Sequence, residues 1–431
     1  MKRGQLLFFC FCLFMGSKAK SQSPSYADTA AAYFEELRMN SLQNQALWNY
    51  DIYAPVLLVN PRSREVFANF PDSLNVLQQT NRIYHGYLPR ELNISNTSLR
   101  WNGRDWAMIM LPLSADRHRR LNLLSHELFH RAQKQLGFFP YNPENNHLDK
   151  KEGRIYLRLE LQALIKAMNS NSPADRKKHI QDAIIFRKYR HSIYPGSDST
   201  EALIEINEGI CEYTGMMMSQ RNVQQQQANF ESRIRQFVQG KSYLRSFAYE
   251  TIPVYGWLLQ QIKPGWNKQV NKKTNLTEFF IHSFGIDLPA RLSEKVAVIS
   301  PGYDGAAITS QEELREEKTK QQIAFYTSKF FSEPHLSLPL ENMNMSFDYL
   351  SIFPLEDKGT VYPTIRVTDN WGILDVKDGA LISPDWKQIT VGMPASITDT
   401  LIKGNGWTLE LKKNYKLEKD KNGEAYKILK N

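Results

Sequence analysis

The sequence lacks the features that define membrane, fibrous and disordered proteins. Its 431 residues are 42% hydrophobic and 23% charged, an ordinary globular composition that excludes a collagen, a coiled coil or a wholly disordered chain. No apolar run reaches the roughly 18 residues that a membrane-spanning helix needs. We therefore predict a globular protein with no integral membrane segment.

Cysteine is scarce, and basic residues are scattered. Cys10 and Cys12 lie in the first 21 residues, so a chain without that segment keeps only Cys211, and no intramolecular disulfide is expected. The formal net charge of +9 falls to +5 without residues 1–21, which hold four basic residues and no acidic ones. No basic run is long enough for a nucleic-acid-binding arm, so no nucleic-acid partner is predicted.

The first residues have the pattern of a secretory signal peptide. Lys2 and Arg3 precede an apolar run at 6–15, and small and polar residues follow through Ser21. A charged start, a short apolar stretch and a small-residue cleavage site are typical of such segments. We therefore predict a signal peptide over residues 1–21 and a secreted or periplasmic protein.

The pattern after the signal peptide predicts a helix at 28–50, then strands, and then further helices. The β-rich runs at 54–69 and 97–113 predict two hairpins of a small antiparallel sheet, the second turning at Asn102-Gly103. A long helix should follow, capped by Asp116 and ended by Gly137. Later amphipathic patterns predict helices at 149–169, 175–191 and 201–218, and more helix through residue 300.

The residue pattern changes again near residue 340. Short β-rich runs separated by turn signals predict a small β-domain, in which Trp371, Trp386 and Trp407 are expected to pack in the core. We therefore predict an α+β fold. Its parts are a mixed domain at 22–305, a helical linker at 306–340 and a C-terminal all-β domain at 341–431.

The strongest chemical signal is the segment His126-Glu127-Leu128-Phe129-His130 inside the predicted long helix. Residues four apart share one helix face, so both imidazoles can bind one ion. The carboxylate of Glu127 lies beside them, where it can take a proton from a water molecule. This HExxH arrangement is typical of zinc hydrolases, although a solvated, charged helix face is an alternative interpretation.

A catalytic zinc needs three protein ligands and one open position. No histidine follows His130 within two turns, but Asn207-Glu208-Gly209-Ile210-Cys211-Glu212-Tyr213 stands downstream. Here the chain resembles the gluzincin metallopeptidases, a peptidase MA-like group whose third zinc ligand is a glutamate on a second helix, in many members within a run like NEGxxEY. The resemblance implies Glu208 as the third ligand. It also implies that Glu212 accepts a hydrogen bond from the outer nitrogen of a zinc-bound histidine.

The specific resemblance covers these two helices. His130 and Glu208 are 78 residues apart, which is longer than in the familiar gluzincins, and the helices at 149–191 are predicted to form an inserted helical hairpin. Glu160 in this hairpin is a rival third ligand, although it lacks a paired acid one turn later.

The resemblance implies that residues 22–305 are a zincin-like catalytic domain and that the protein is a secreted, zinc-dependent hydrolase of peptide bonds. Glu127 is then the expected general base. A tyrosine is expected to stabilise the oxyanion, with Tyr255 preferred over Tyr249 and His282 a weaker choice. The strand at 106–113 is expected to border the substrate cleft, where an extended peptide or protein substrate can pair with it through backbone hydrogen bonds.

Two other functions stay open at this point. The same zinc centre could act as an amidase on cell-wall peptide, or the chain could be a non-catalytic surface or binding protein on a peptidase scaffold. The presence of Glu127 argues against the second alternative, because loss of the base is the simplest route to loss of activity.

Overall fold

The computed structural model describes residues 26–430, apart from 90, 91, 93, 140, 144, 245, 348–350 and 420–425. The predicted signal peptide at 1–21 lies outside the described residues. The fold is α+β, with about 48% helix and several antiparallel sheets in the C-terminal region, so this prediction is confirmed. Among the residues described, no helix combines the length and the apolar character needed to cross a membrane.

Helices account for most of the chain between the first strands and residue 327. The α-helices of the described chain are α1 (Tyr26–Asn44), α2 (Arg117–Gln133), α3 (Lys151–Asn169), α4 (Pro173–Ile193), α5 (Ser197–Ile204), α6 (Ile210–Met217), α7 (Val223–Phe237), α8 (Ala248–Gln260), α9 (Leu276–Phe284), α10 (Leu292–Ile299) and α11 (Gly305–Thr327). A π-helical turn at Glu205–Gly209 joins α5 to α6, so the single helix predicted at 201–218 is interrupted.

Strands lie in two regions of the described chain, between residues 56 and 110 and between residues 335 and 430. They are β1 (Val56–Val59), β2 (Glu65–Ala68), β3 (Gln78–Thr80), β4 (Ile83–Tyr87), β5 (Thr97–Trp101), β6 (Arg104–Met110), β7 (His335–Pro339), β8 (Asn344–Phe347), β9 (Phe353–Pro354), β10 (Thr360–Tyr362), β11 (Ile365–Asp369), β12 (Gly372–Val376), β13 (Ala380–Ile382), β14 (Gln388–Gly392), β15 (Pro394–Ile397), β16 (Leu401–Gly404), β17 (Trp407–Leu411), β18 (Tyr415–Lys419) and β19 (Tyr426–Lys430).

The chain forms two compact units that alternate along the sequence. Of the described residues, the first unit comprises those in 26–139, 211–221 and 267–269, and the second comprises those in 141–210, 222–266 and 270–430. Strands β1–β6 and helices α1, α2 and α6 therefore belong to the first unit. Helices α3–α5 and α7–α11 and strands β7–β19 belong to the second.

The sheet of the first unit has the strand order β3-β4-β2-β1-β6-β5. It is mixed rather than antiparallel as predicted, because β1 pairs parallel with β6 and antiparallel with β2. Strand β6 pairs with β1 on one side and with β5 on the other, so the expectation that an extended peptide can add to the strand at 106–113 is wrong. The physical reason is burial: Trp106 and Ile109 are fully buried, as suits a central strand.

Local signals correctly predicted two features next to this sheet. Asn102 and Gly103 have φ values of 47° and 75° in the turn between β5 and β6, the conformation that a two-residue hairpin loop requires. Asp116 caps α2, since its side chain accepts a hydrogen bond from the Arg119 backbone N–H at 2.9 Å. This bond, with a second from the His118 backbone, holds the pKa of Asp116 below its ordinary value.

The helical part of the second unit is built around buried charges. Glu160 on α3 accepts hydrogen bonds from Arg187 Nε and Arg190 Nη1 on α4, both at 2.7 Å. Arg190 also pairs with Glu201 on α5 at 2.7 Å. We call Glu160, Arg187, Arg190, Glu201 and Glu205 the buried ion network; each side chain is at most 1% exposed. Removal of one partner of such a pair leaves a buried charge without its counter-charge, which lowers the free energy of unfolding by about 3–5 kcal/mol.

Two glutamates of this network have opposite electrostatic environments. Burial acts against the charge of Glu201, but Arg190 and His191 hold its pKa well below the ordinary value. Burial raises the pKa of Glu205 to about 7, against the opposing charge of Arg187. Arg187 Nη1 lies 2.8 Å from Glu205 Oε1 but is not aligned for a hydrogen bond, and neither Glu205 oxygen accepts a hydrogen bond from the described residues.

The C-terminal part of the second unit contains two packed sheets. Their strand orders are β7-β14-β13-β10-β9 and β15-β16-β17-β12-β11-β8, and β18 and β19 form a separate hairpin. Trp371 and Trp407 pack in the core as predicted, whereas Trp386 is 45% exposed. The region predicted as a linker is anchored, because Glu312 on α11 accepts from Arg154 on α3 at 2.8 Å.

The raised pKa of Glu205 gives a first prediction. A carboxyl group whose pKa rises from 4.5 unfolded to about 7 folded stabilises the fold most below pH 4.5, and this stabilisation is lost as the pH rises through about 7. Glu205→Gln should therefore gain roughly 1–3 kcal/mol over the wild type at pH 8, and far less at pH 5. Urea unfolding at both pH values measures this difference.

The matched control is Glu201→Gln, which removes an aligned partner of Arg190. This variant should be destabilised at pH 8 by about 3–5 kcal/mol, because it strands a buried charge. A stability difference between Glu205→Gln and the wild type that does not change between pH 5 and pH 8 would contradict the assignment for Glu205.

Candidate metal centre

Helix α2 brings the two histidines of the HExxH segment together in the first unit. His126 and His130 lie one turn apart, and their Nε2 atoms are 3.1 Å from each other. His126 is 5% exposed and Glu127 is 7% exposed, so the segment is not the solvated helix face of the alternative interpretation. The apolar residues Leu121, Leu124 and Leu128, which repeat at helical spacing, are buried.

The outer nitrogen of each ring has its own partner. His126 Nδ1 lies 2.8 Å from Glu212 Oε2 on α6, and His130 Nδ1 lies 3.0 Å from Gln133 Oε1. The sulfur of Cys211 also lies 3.3 Å from His130 Nδ1. Carboxylate and amide oxygens can only accept, so in these two contacts Nδ1 is the donor. A neutral ring that donates from Nδ1 has its lone pair on Nε2.

The Nε2 atoms of His126 and His130 are 3.1 Å apart, so one cation could bind both. Zinc binds imidazole nitrogen at about 2.0–2.1 Å in a tetrahedral arrangement, which separates two such nitrogens by roughly 3.3 Å. A ligand atom from each of His126, His130 and Glu208 lies within 4.8 Å of the others. Two imidazoles and one carboxylate form a donor set that suits zinc, so these residues fit the metal.

The π-helical turn carries Glu208, which has two further contacts. Asn207 Nδ2 donates to Glu208 Oε1 at 3.1 Å, and the hydroxyl of Tyr249, in the first turn of α8, donates to Glu208 Oε2. The turn packs closely on α8 at Gly209, where a Cβ atom would lie 2.6 Å from Ile252 Cγ1. Any side chain at position 209 would therefore force either Ile252 or the turn that carries Glu208 to shift.

The structure places the other sequence candidates elsewhere. Tyr255 is fully buried, and its hydroxyl donates to Glu160 Oε1 at 3.1 Å in the buried ion network. Burial and the charge of Glu160 raise the pKa of Tyr255 well above its ordinary value. Glu160 binds Arg187 and Arg190, so both its oxygens are engaged away from the histidines. His282 is exposed on α9.

Sequence reasoning missed three residues that contact the candidate ligands or Glu212. They are Asn122, Gln133 and Cys211. The spacing held a usable signal for two of them: Asn122 comes four residues before His126, and Gln133 comes three residues after His130, so both lie one helical turn from a histidine.

Comparisons of the chain with models of protein families, with curated proteins and with solved structures find no match.

The contact between His126 and Glu212 gives a second prediction. Glu212→Ala should weaken zinc binding by roughly 10–100-fold, because it removes the acceptor that fixes the tautomer and orientation of His126. Competition with a chelator measures the affinity, and circular dichroism checks the fold. Glu313→Ala, which removes an exposed acid on α11, is the control and should bind zinc as the wild type does. An unchanged zinc affinity in Glu212→Ala would refute the role of Glu212.

Proposed function

We propose that the chain is a zinc-dependent hydrolase of peptide bonds with a gluzincin-like catalytic region. The observation that carries the proposal is the pair of Nε2 atoms of His126 and His130, 3.1 Å apart, each on a ring whose Nδ1 donates outwards. This arrangement presents two lone pairs to one point, and the carboxylate of Glu208 is close enough to supply the third ligand.

His126, His130 and Glu208 would hold the metal. When bound, zinc polarises the scissile carbonyl and makes water a stronger acid. Glu127 follows His126 in α2 and is not needed as a ligand. Its carboxylate is the group we assign as general base: it accepts a proton from the attacking water and later delivers it to the leaving amine. Burial of Glu127 at 7% exposure keeps bulk water from competing for that proton.

Tyr249 is the phenol that we assign to the oxyanion, in place of Tyr255. Its hydroxyl contacts Glu208, one of the three candidate ligands, whereas the hydroxyl of Tyr255 contacts Glu160. A donor beside the metal can bind the oxygen on which negative charge develops in the tetrahedral transition state. The substrate class is a peptide or protein, and a peptide of the cell wall is one member of that class.

The third prediction separates a hydrolase from a binding protein. Glu127→Gln keeps the size of the side chain and removes the base. This variant should hold about one zinc per chain, as the wild type should, while losing two or more orders of magnitude in the rate of peptide cleavage. Metal analysis and a broad peptide library measure the two quantities. His126→Ala and His130→Ala, which lose ligands, should lose the zinc itself.

Two results would count against this assignment. Equal cleavage by Glu127→Gln and the wild type would remove Glu127 from the mechanism. A zinc-loaded wild type that cleaves no peptide, protein or cell-wall fragment would favour a non-catalytic binding protein instead.

The fourth prediction compares two tyrosines on α8. Tyr249→Phe should lower kcat of the zinc-loaded protein by roughly 10²–10³-fold, the loss typical of one oxyanion donor. Because its hydroxyl also contacts the ligand Glu208, zinc affinity should fall by no more than the roughly 10–100-fold typical of a ligand's partner. Tyr255→Phe is the matched control: it removes a hydroxyl from the buried ion network, so it should lower the melting temperature and leave kcat nearly unchanged. The reverse pattern would restore Tyr255 as the candidate.

A further inference from the structure

Two hydrogen bonds to one carboxylate connect α2 and α6. Glu212 Oε2 accepts a hydrogen bond from His126 Nδ1 at 2.8 Å, and Glu212 Oε1 accepts one from the Asn122 amide nitrogen at 3.1 Å. Asn122 lies one helical turn before His126, on the same face of α2. The three side chains are 4–9% exposed, so each polar contact is shielded from solvent.

The backbone of α6 approaches α2 unusually closely beside these bonds. A Cβ atom at Gly215 would lie 2.6 Å from the backbone oxygen of Asn122, 2.9 Å from its Nδ2 and 3.3 Å from His126 Cβ. Such distances are too short for any side chain, so only glycine allows the two helices to come this near. This close approach lets the short Asn122 side chain reach the carboxylate of Glu212.

A carboxylate held at one oxygen can still rotate about its bond to the side chain. The second bond from Asn122 removes that freedom, because it fixes the position of Oε1 relative to α2. The Asn122 amide donates to Glu212 without adding a charge. The carboxylate of Glu212 therefore still acts as a hydrogen-bond acceptor for His126 Nδ1. Without Asn122, one oxygen of a buried carboxylate would lose a donor, which is unfavourable.

We propose that Asn122 is a positioning residue that acts through Glu212 to fix the tautomer and orientation of His126. This inference rests on the proposed zinc site and assigns it a residue outside the HExxH and NEGxxEY segments. The two histidines are thus held differently: His126 by an ionised carboxylate that an amide orients, and His130 by the neutral amide of Gln133.

The test is a double-mutant cycle on zinc affinity, measured by chelator competition. Asn122→Ala should weaken binding by roughly 3–10-fold, a smaller loss than the 10–100-fold expected for direct partners of a ligand. In the Glu212→Ala background, Asn122→Ala should have an effect below about 2-fold, because its route to His126 is gone. Losses that multiply in the double variant, or no loss in Asn122→Ala, would overturn the inference.

Two further variants separate positioning from a general effect on packing. Asn122→Asp keeps the volume but replaces the donor by a second carboxylate beside Glu212, so it should weaken zinc binding at least as much as Asn122→Ala. Asn40→Ala removes another fully buried amide, which contacts α2 at Ser125 with an N–O distance of 3.4 Å. It should lower stability without changing zinc affinity. Wild-type affinity in Asn122→Asp would overturn the inference.

A readout without metal distinguishes this inference from the proposed function. In the metal-free wild type, the ¹⁵N shifts of His126 should show the tautomer protonated on Nδ1, and Asn122→Ala should raise the share protonated on Nε2. If this shift occurs while the wild type binds no zinc, the positioning role stands and the proposed zinc hydrolase fails. If zinc binds and neither the tautomer nor the affinity responds to Asn122, the positioning role fails alone.

Discussion

Burial of paired charges is the constraint on which the helical part of the second unit depends. The buried ion network joins α3, α4, α5 and the π-helical turn, and Tyr255 adds α8 to it. Apolar helices can slide by small steps, but a buried guanidinium that loses its carboxylate is penalised by several kcal/mol. These helices are therefore held in one arrangement. The turn that carries Glu208 begins at Glu205, a member of the network, so the candidate ligand follows the network directly in the chain.

The same constraint acts on a smaller scale in the first unit, where buried acceptors decide which nitrogen of each histidine is available. Glu212 and the Gln133 oxygen lie at the Nδ1 atoms, and the Nε2 atoms face each other. The candidate metal site therefore depends on where buried acceptors lie, and the candidate ligand residues alone do not specify it.

Local signals predicted much of the fold, because they depend on a few adjacent residues. The helix of the HExxH segment, the Asp116 cap and the Asn102-Gly103 turn follow from periodicity, side-chain capping and positive φ. The strand order did not follow, since parallel pairing of β1 with β6 depends on residues 51 positions apart. The sequence also suggested Tyr255 as the oxyanion donor and Glu160 as a rival ligand, because their true partners are distant in the sequence. Their arginine partners lie 27 or more positions from either residue, where no local pattern shows them.

Helical spacing correctly predicts that Glu208 and Glu212 share a helix face, but it does not predict that Glu201 and Glu205 face other partners. The π-helical turn explains this difference. Glu201, Glu205, Glu208 and Glu212 are spaced by four, three and four residues, so on a continuous α-helix they would form one stripe. A π turn adds one residue, which rotates the later part of the helix by about 100° relative to the earlier part. The stripe is therefore divided. Glu201 and Glu205 join the buried ion network, whereas Glu208 and Glu212 are turned towards the histidines. On a continuous α-helix the four carboxylates would instead lie along one face, whereas the π turn lets the two pairs meet different partners.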